Sequence, residues 1–291
     1  MSSKTGTARL FGAREQLFPK ILTKTREIPK SLPVYRKNKL RALLRESKPT
    51  VATHVHSTWP GMMEVIGSTG LVDYVELSAQ YAPYDLYSLD NLAMAADLYE
   101  MPAMIKIDPE PRYFVAQRAI GSGFQSVLFA DLRSVKDVED AVSIVRAEPK
   151  GRNGSAMNRA AKYFYGGSEE FVKYCDDIVI AIMIEKKSLY DHLEDVLNLD
   201  IDMIQFGPSD FSMSLGVWGQ TSNPKVVEAQ ENTIRMALKY DRHPRIELPS
   251  IAKVEKYLQM GVKDFCIGWD VMVMRDFLVQ NAEPLRKQLG I

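Results

Sequence analysis

The chain is short of several things, and each shortage removes a class of protein. It has two cysteines, Cys175 and Cys266, 91 positions apart and outside any CxxC spacing. That argues against a disulfide framework and a structural zinc site, and it suits a reducing cytoplasm. No run of 18 or more apolar residues exists, so no transmembrane helix is expected. Residues 1–20 hold no continuous apolar stretch of the secretory kind, and Arg9 and Arg14 give only a faint likeness to an organellar transit peptide. Net charge is missing too, with 37 Lys+Arg against 37 Asp+Glu. A Gly-rich phosphate turn is also absent. After the first strand-like run the chain reads His56-Ser57-Thr58-Trp59-Pro60-Gly61, not GxGxxG, which counts against a dinucleotide-binding open sheet.

What is present is ordinary globular material: 291 residues, 46% hydrophobic and 25% charged, a composition that excludes disorder, collagen and coiled coil for the whole chain. The neutral total conceals an asymmetry. Residues 1–48 carry thirteen Lys/Arg and three Glu, a net of +10, so the remainder carries −10. A basic head of this kind can be a nucleic-acid arm, a membrane-surface arm, a targeting peptide or a solvated extension that wraps an oligomer.

The first 33 residues, with Pro19, Pro29 and Pro33, read as an irregular arm. A basic amphipathic helix follows over Val34–Glu46, with Leu40, Leu43 and Leu44 on one face, and Pro49 ends it. From there eight short apolar runs alternate with helical stretches. The runs are Thr50–His56, Asp73–Ser78, Ala103–Ile107, Ser126–Phe129, Ile178–Ile184, Met203–Phe206, Arg245–Leu248 and Asp264–Ile267. Runs such as IVIAIMI are apolar throughout, as parallel strands covered on both faces must be. Eight β–α units over Thr50–Ile291 predict an α/β fold, a closed (β/α)₈ TIM barrel with a basic N-terminal extension. One connection is long: KGRNGSAMNRAAKYFYGGSEEF, residues 150–171, read either as a cover over the active-site mouth or as a subunit contact.

Active sites of such barrels lie at the C-terminal strand ends. The polar residues expected there include His54, His56, Ser78, Gln80, Tyr81, Lys106, Asp131, Glu185, Lys186, Ser209, Asp210, Glu247, Trp269 and Asp270. Glu185 and Asp210 end neighbouring strands. Such a pair either shares a divalent cation such as Mg²⁺ or Mn²⁺, or is simply polar and satisfied by water or by Lys186. Gly207-Pro208-Ser209-Asp210 makes a tight turn whose backbone can approach a carboxylate.

These residues carry a resemblance. MIEK (183–186) followed by QFGPSDFSMSLG (205–216) resembles the QIET and FIGPADLSxDLG signature of HpcH/HpaI-type aldolases, class II pyruvate aldolases related to citrate lyase β-subunits. NKLRALLRESKP (38–49), VDYVELSAQYAPYD (72–85), residues 103–106, GFQSVLFADLRSVKDVEDAV (123–142) and VKDFCIGWD (262–270) resemble further segments of that family. The resemblance implies a catalytic barrel over 38–291, with residues 1–37 as the extension. It implies a divalent metal (Mg²⁺ or Mn²⁺, with Co²⁺ as a third choice) on Glu185 and Asp210. It further implies an oxo-acid substrate cleaved through a pyruvate enolate, and a hexamer that exchanges its last helix between subunits.

The departures are equally specific. Gln80-Tyr81 stands where the family has Glu-His, Lys106 where it has Arg, and Ser78 where it has Asp. The expected replacements are Lys106 at the enolate oxygen, Tyr81 or His56 for the proton, and Ser209, Gly207, Pro208 and Gln80 around the substrate. His54 reads as barrel filling, and Glu76 as a partner for Lys106 across the barrel. The same departures leave open a barrel with other oxo-acid or phosphoenolpyruvate-type chemistry, or a binding or assembly protein. The extension proper, residues 1–37, carries +7. It is expected to lie on acidic surface of its own or a neighbouring subunit, with no nucleic-acid or membrane partner.

Overall fold

The structure, a computed structural model, describes residues 35–154, 157–163 and 168–291. Residues 1–34, and with them nearly all of the basic extension, lie outside that range. Eight parallel strands close into one barrel in chain order. They are β1 Thr50–Val55, β2 Tyr74–Ser78, β3 Ala103–Ile107, β4 Ser126–Phe129, β5 Val179–Ile184, β6 Met203–Phe206, β7 His243–Leu248 and β8 Asp264–Trp269. The helices are α1 Lys39–Arg45, α2 Pro60–Ser68, α3 Leu86–Leu98, α4 Arg112–Ser122, α5 Val135–Val145 and α6 Ser168–Asp177. They continue with α7 Lys187–Tyr190, α8 Leu193–Leu197, α9 Pro208–Ser214, α10 Pro224–Lys239, α11 Val254–Gln259 and α12 Asp270–Leu289.

The strands form as they do because both faces are covered. All six residues of β5 are buried. Alternate side chains point to opposite sides of a strand. Ile180, Ile182 and Ile184 therefore join the layer under the helices, while Val179, Ala181 and Met183 join the barrel interior. Burying one such side chain contributes about 1.5–3 kcal/mol.

The basic helix α1 belongs to the barrel. Leu40 and Leu44 are buried in the interior cluster, and Asn38 caps the helix by accepting from the Arg41 N–H at 3.2 Å. Arg41 forks onto both Asp202 oxygens, and Arg45 pairs with Asp177 at 2.9 Å. Contact starts before Asn38: the Tyr35 ring stacks on Tyr174 at 4.5 Å, and Arg36 pairs with Asp97 at 2.6 Å. Part of the basic head is thus matched to the barrel's own carboxylates.

Three expectations change. The long connection follows helix α5 and precedes β5, which puts it on the N-terminal face, away from the mouth. Its described arginines are committed there, Arg152 to Asp140 at 2.7 Å and Arg159 to Asp97 and the Ser122 carbonyl. Part of it is helix α6, with Glu169 and Glu170 in the first turn and Phe171, Tyr174 and Cys175 buried along one face. The last helix, expected from the sequence over Val271–Leu278, runs on to Leu289, and none of its 20 residues is buried. No helix among the described residues is long and apolar enough to cross a membrane.

Candidate active site

At the C-terminal end of the barrel, Glu185 follows β5 and Asp210 sits in the first turn of α9, just past β6. Glu185 is only 3% exposed. Its Oε1 accepts the Asp131 N–H at 2.5 Å, made possible because Asp131 takes a left-handed φ of 57° at the end of β4. Its Oε2 lies over Gly207, where a Cβ would come within 2.8 Å, so the glycine leaves room for the carboxylate. Burial raises the Glu185 pKa, and the nearby Asp210 charge adds to the rise against Asp131 N–H and Lys106. Lys186 bridges Asp131 Oδ1 at 2.8 Å and Asp210 Oδ1 at 3.1 Å. Burial works against its charge, but the two carboxylates outweigh it and raise its pKa.

Two mutually repelling carboxylates, one of them desolvated, suit a hard divalent cation. Among the described residues no cluster of three His, Cys, Asp or Glu side chains has metal-holding geometry. Glu185 and Asp210 are two carboxylates at the mouth that could hold such an ion, with water or substrate oxygens completing the shell.

The opposite side of the mouth is aromatic and basic. Lys106, 8% exposed, places its ammonium 4.9 Å from the centre of the Tyr81 ring. Burial raises the Tyr81 pKa and the Lys106 charge only partly offsets it, so the phenol keeps its proton near neutral pH. The His56 ring lies 5.9 Å from Tyr81 and 4.6 Å from Trp269. Burial lowers its pKa, and the His54 and Lys106 charges lower it further against Asp270. Asp270 begins α12 and holds the loop after β1, accepting the N–H of His56 at 3.0 Å and of Ser57 at 2.8 Å.

Lys106, Tyr81, His56, Glu185 and Asp210 are thus brought to one mouth. Gln80 also lies there, partly buried, with its Oε1 sealed and unpartnered. Ser209 is exposed at the start of α9. The Gly207 N–H is bonded to the Ile184 carbonyl at 3.0 Å and Pro208 has none. Only the N–H groups of Ser209 and Asp210 in that turn are left to face a carboxylate.

The partner expected for Glu76 is wrong. Glu76 pairs with Arg245 at 2.6 Å, both fully buried, and Lys106 stays unencumbered by it. Arg245 also donates to the Tyr74 hydroxyl at 2.8 Å and to Gln205 Oε1. Gln205 Nε2 donates to Glu247 Oε2 at 3.0 Å, and Glu247 Oε1 lies 3.4 Å from His54 Nδ1. Sequence reasoning missed this chain of groups. Its one available signal was a charged residue at every second position of the seventh strand, Arg245 and Glu247, matching Glu76 in the second.

A model of the HpcH/HpaI aldolase/citrate lyase family matches residues 54–276. A 5-keto-4-deoxy-D-glucarate aldolase of Salmonella paratyphi C is 24% identical over 251 residues, covering 86% of this chain and 97% of that protein. Among solved structures, an HpcH/HpaI aldolase from Desulfitobacterium hafniense superposes with a TM-score of 0.78 at 22% identity, over 85% of this chain and 96% of that one. The citrate synthase SbnG gives 0.77 at 18% identity, over 87% and 99%. At those identities the structures speak for the barrel and its connectivity.

Proposed function

Because the chain belongs to the HpcH/HpaI aldolase/citrate lyase family, we propose that it is a divalent-metal-dependent carbon–carbon lyase. Its substrate is a 4-hydroxy-2-oxo acid or a related oxo-acid, split through a pyruvate enolate. The observation that carries this reading is the pair of carboxylates, Glu185 and Asp210, set at one mouth with Lys106. Each of the other two charges acts on Glu185.

Glu185 and Asp210 hold the metal, Mg²⁺ or Mn²⁺, which when bound supplies Lewis-acid stabilisation of the enolate. Lys106 sets a positive charge against the enolate oxygen as a point charge rather than a fork. Ser209 and the first turn of α9 seat the substrate carboxylate, with Gly207 and Pro208 shaping the turn and Gln80 on the facing side. The proton is handled at the corner where Tyr81 and His56 meet. Tyr81 acts as a neutral donor there, since its pKa is raised.

The working form is a homo-oligomer, and the family resemblance favours a hexamer. Supporting this, α12 exposes Val273, Met274, Phe277 and Leu278. A groove of about 560 Å³ runs between it and Met62, Val65 and Ile66 of α2. A contiguous exposed apolar face of this kind suits an association surface.

The test uses the purified full chain with Mg²⁺ or Mn²⁺ and a panel of 4-hydroxy-2-oxo acids, reading pyruvate release and bound metal. Glu185→Ala and Asp210→Ala are each expected to lose metal and at least about 100-fold in rate, and a chelator to abolish the wild-type rate. Variants that keep both metal and activity would sink the reading. Failure of the wild type on every oxo-acid would favour a binding or assembly role, the alternative raised by Gln80-Tyr81.

A further inference from the structure

On the β7–β1 side of the mouth lies a carboxylate–imidazole pair that the account above leaves unused. His54 is the penultimate residue of β1 and Glu247 the penultimate residue of β7, and β8 separates the two strands. His54 Nδ1 and Glu247 Oε1 nevertheless lie 3.4 Å apart. That is long for a hydrogen bond, as pairs of this kind often are before substrate tightens them.

Glu247 is oriented from below by Gln205, whose amide has no freedom to flip. Arg245 can only donate, so Gln205 must turn its Oε1 toward it. The amide NH₂ of Gln205 then faces Glu247. Arg245 is itself locked by Glu76 and Tyr74. Burying a charged pair at this depth costs desolvation that apolar packing would avoid, so its use is to be sought at its upper end, where Glu247 emerges. The Glu247 carboxylate suffers from burial, but His54, Arg245 and Lys106 hold it ionised.

His54 is held on its other sides by rings. His56 lies 6.1 Å away in a stacked arrangement and Trp269 lies 5.3 Å away. Of the two ring nitrogens, Nδ1 is sealed and makes no hydrogen bond of normal geometry, the Glu247 carboxylate being the acceptor within reach. Nε2 is the nitrogen left for a substrate proton. His56 lacks such an orienting partner. Asp270 binds its backbone, and among the described residues no carboxylate bonds its ring.

We propose that at this corner His54, oriented by Glu247, takes and returns the proton, with His56 and Trp269 as its walls and Tyr81, on the far side of His56, as a neutral hydrogen-bond donor. The proposal rests on the pyruvate-enolate reading. Neutral His54 carries its proton on Nδ1 toward Glu247, and Nε2 takes the proton of the substrate C4 hydroxyl. As that O–H bond breaks, C4–O becomes a carbonyl and the C3–C4 bond breaks. The bonding pair stays on the three-carbon fragment as the enolate. The imidazolium, paired with the Glu247 carboxylate, then gives its proton to C3, and pyruvate and an aldehyde result. No outside oxidant or reductant is needed. A triad-like order of substrate, imidazole and carboxylate is one that generates a base near neutral pH.

The charged groups acting on this corner are His56 on β1, Glu76 on β2, Lys106 on β3, Arg245 and Glu247 on β7, and Asp270 on α12. The chain has only four histidines, so the ring nitrogen signals in NMR of the Mg²⁺-loaded full chain with labelled histidine are assignable through His54→Gln. Glu247→Gln is expected to change the Nδ1–H tautomer signature of His54 by removing its acceptor, and Glu247→Asp to preserve most of it. An unchanged His54 tautomer signature in Glu247→Gln overturns the pairing. The catalytic part is read as hydrogen–deuterium exchange of the pyruvate methyl group in D₂O with Mn²⁺. His54→Gln is expected to slow it by about 100-fold or more, His56→Gln by much less, and Glu247→Asp to recover part of what Glu247→Gln loses. Wild-type exchange that survives in His54→Gln, or a larger loss in His56→Gln, overturns the assignment while leaving the pyruvate reading intact. No exchange by the wild type with Mn²⁺ or Mg²⁺ removes the pyruvate reading and the catalytic role of His54 together. The ring nitrogen signals then still report the pair. Thermal melts check that each variant folds, and the Glu247 pair of variants carries the test if His54→Gln does not.

Discussion

From β3 to β6 the inner side of the barrel is mostly apolar, with Met104, Leu128, Val179, Ala181, Met183 and Met203 buried there and Ser126 and Lys106 as polar members. From β6 through β8 and round to β2 it holds Gln205, Arg245, Glu247, Asp264, His54 and Glu76. Each flank ends at the mouth in a carboxylate, and the two carboxylates behave oppositely. Glu185 stands on the apolar flank. Burial raises its pKa, and the Asp131 N–H, Lys106 and Lys186 do not outweigh it. Glu247 stands on the polar flank. Burial penalises it too, but His54, Arg245 and Lys106 outweigh the penalty and pull its pKa down to about 2. The same residue type is thus left with a raised pKa in one place and made a fixed anion in the other.

The largest expected effect tests whether the polar flank depends on its pairing. Arg245→Met leaves Glu76 buried and unpaired, and should cost about 3–5 kcal/mol of unfolding free energy in denaturant titrations. Adding Glu76→Met should return most of it, because well-packed apolar residues replace a buried ion pair at little cost. A single variant as stable as the wild type would show the two flanks to be equivalent. On the apolar flank Leu128→Ala should cost about 3 kcal/mol through the cavity left behind, with no second substitution able to restore it by charge.

A smaller effect distinguishes the flanks by pH. The folded pKa of Glu247, about 2, lies below the ordinary value of about 4.3. Its ionised form therefore adds stability in full above about pH 4.5, and that increment is lost as the pH falls toward 2. Glu247→Gln should melt below the wild type at pH 7, and the gap should close on acidification. The side chain is partly exposed, 38%, so solvent screens the effect. A gap independent of pH would remove Glu247 from the polar network.

The eight strands could be read from the chain because each is a short apolar run covered on both sides, a property of neighbouring residues. Glu185, Asp210, Lys106, Tyr81 and His56 could be placed at the mouth for the same reason: they end strands, and strand ends meet in a closed barrel. Arg245 could not be paired in this way. It opens an apolar run, and its partner Glu76 lies far back in the chain on a strand across the interior, beyond the reach of any local period. Helix α6 was hidden in a connection whose Gly, Arg and Asn residues look like loop. The position of that connection followed from chain order alone, since a segment entering a strand must lie on the N-terminal face.

What the sequence alone determined, then, is what depends on residues close together: strand, helix, the charge excess of the head, and the list of polar residues at strand ends. Closure of the barrel decided the rest. It set β7 and β1 on either side of β8, brought Glu247 to His54 and Arg245 to Glu76, and spent part of the basic head on Asp97, Asp177 and Asp202. The physical reason is that a buried charge takes the nearest opposite charge in space, and in a closed sheet that neighbour can come from anywhere in the chain.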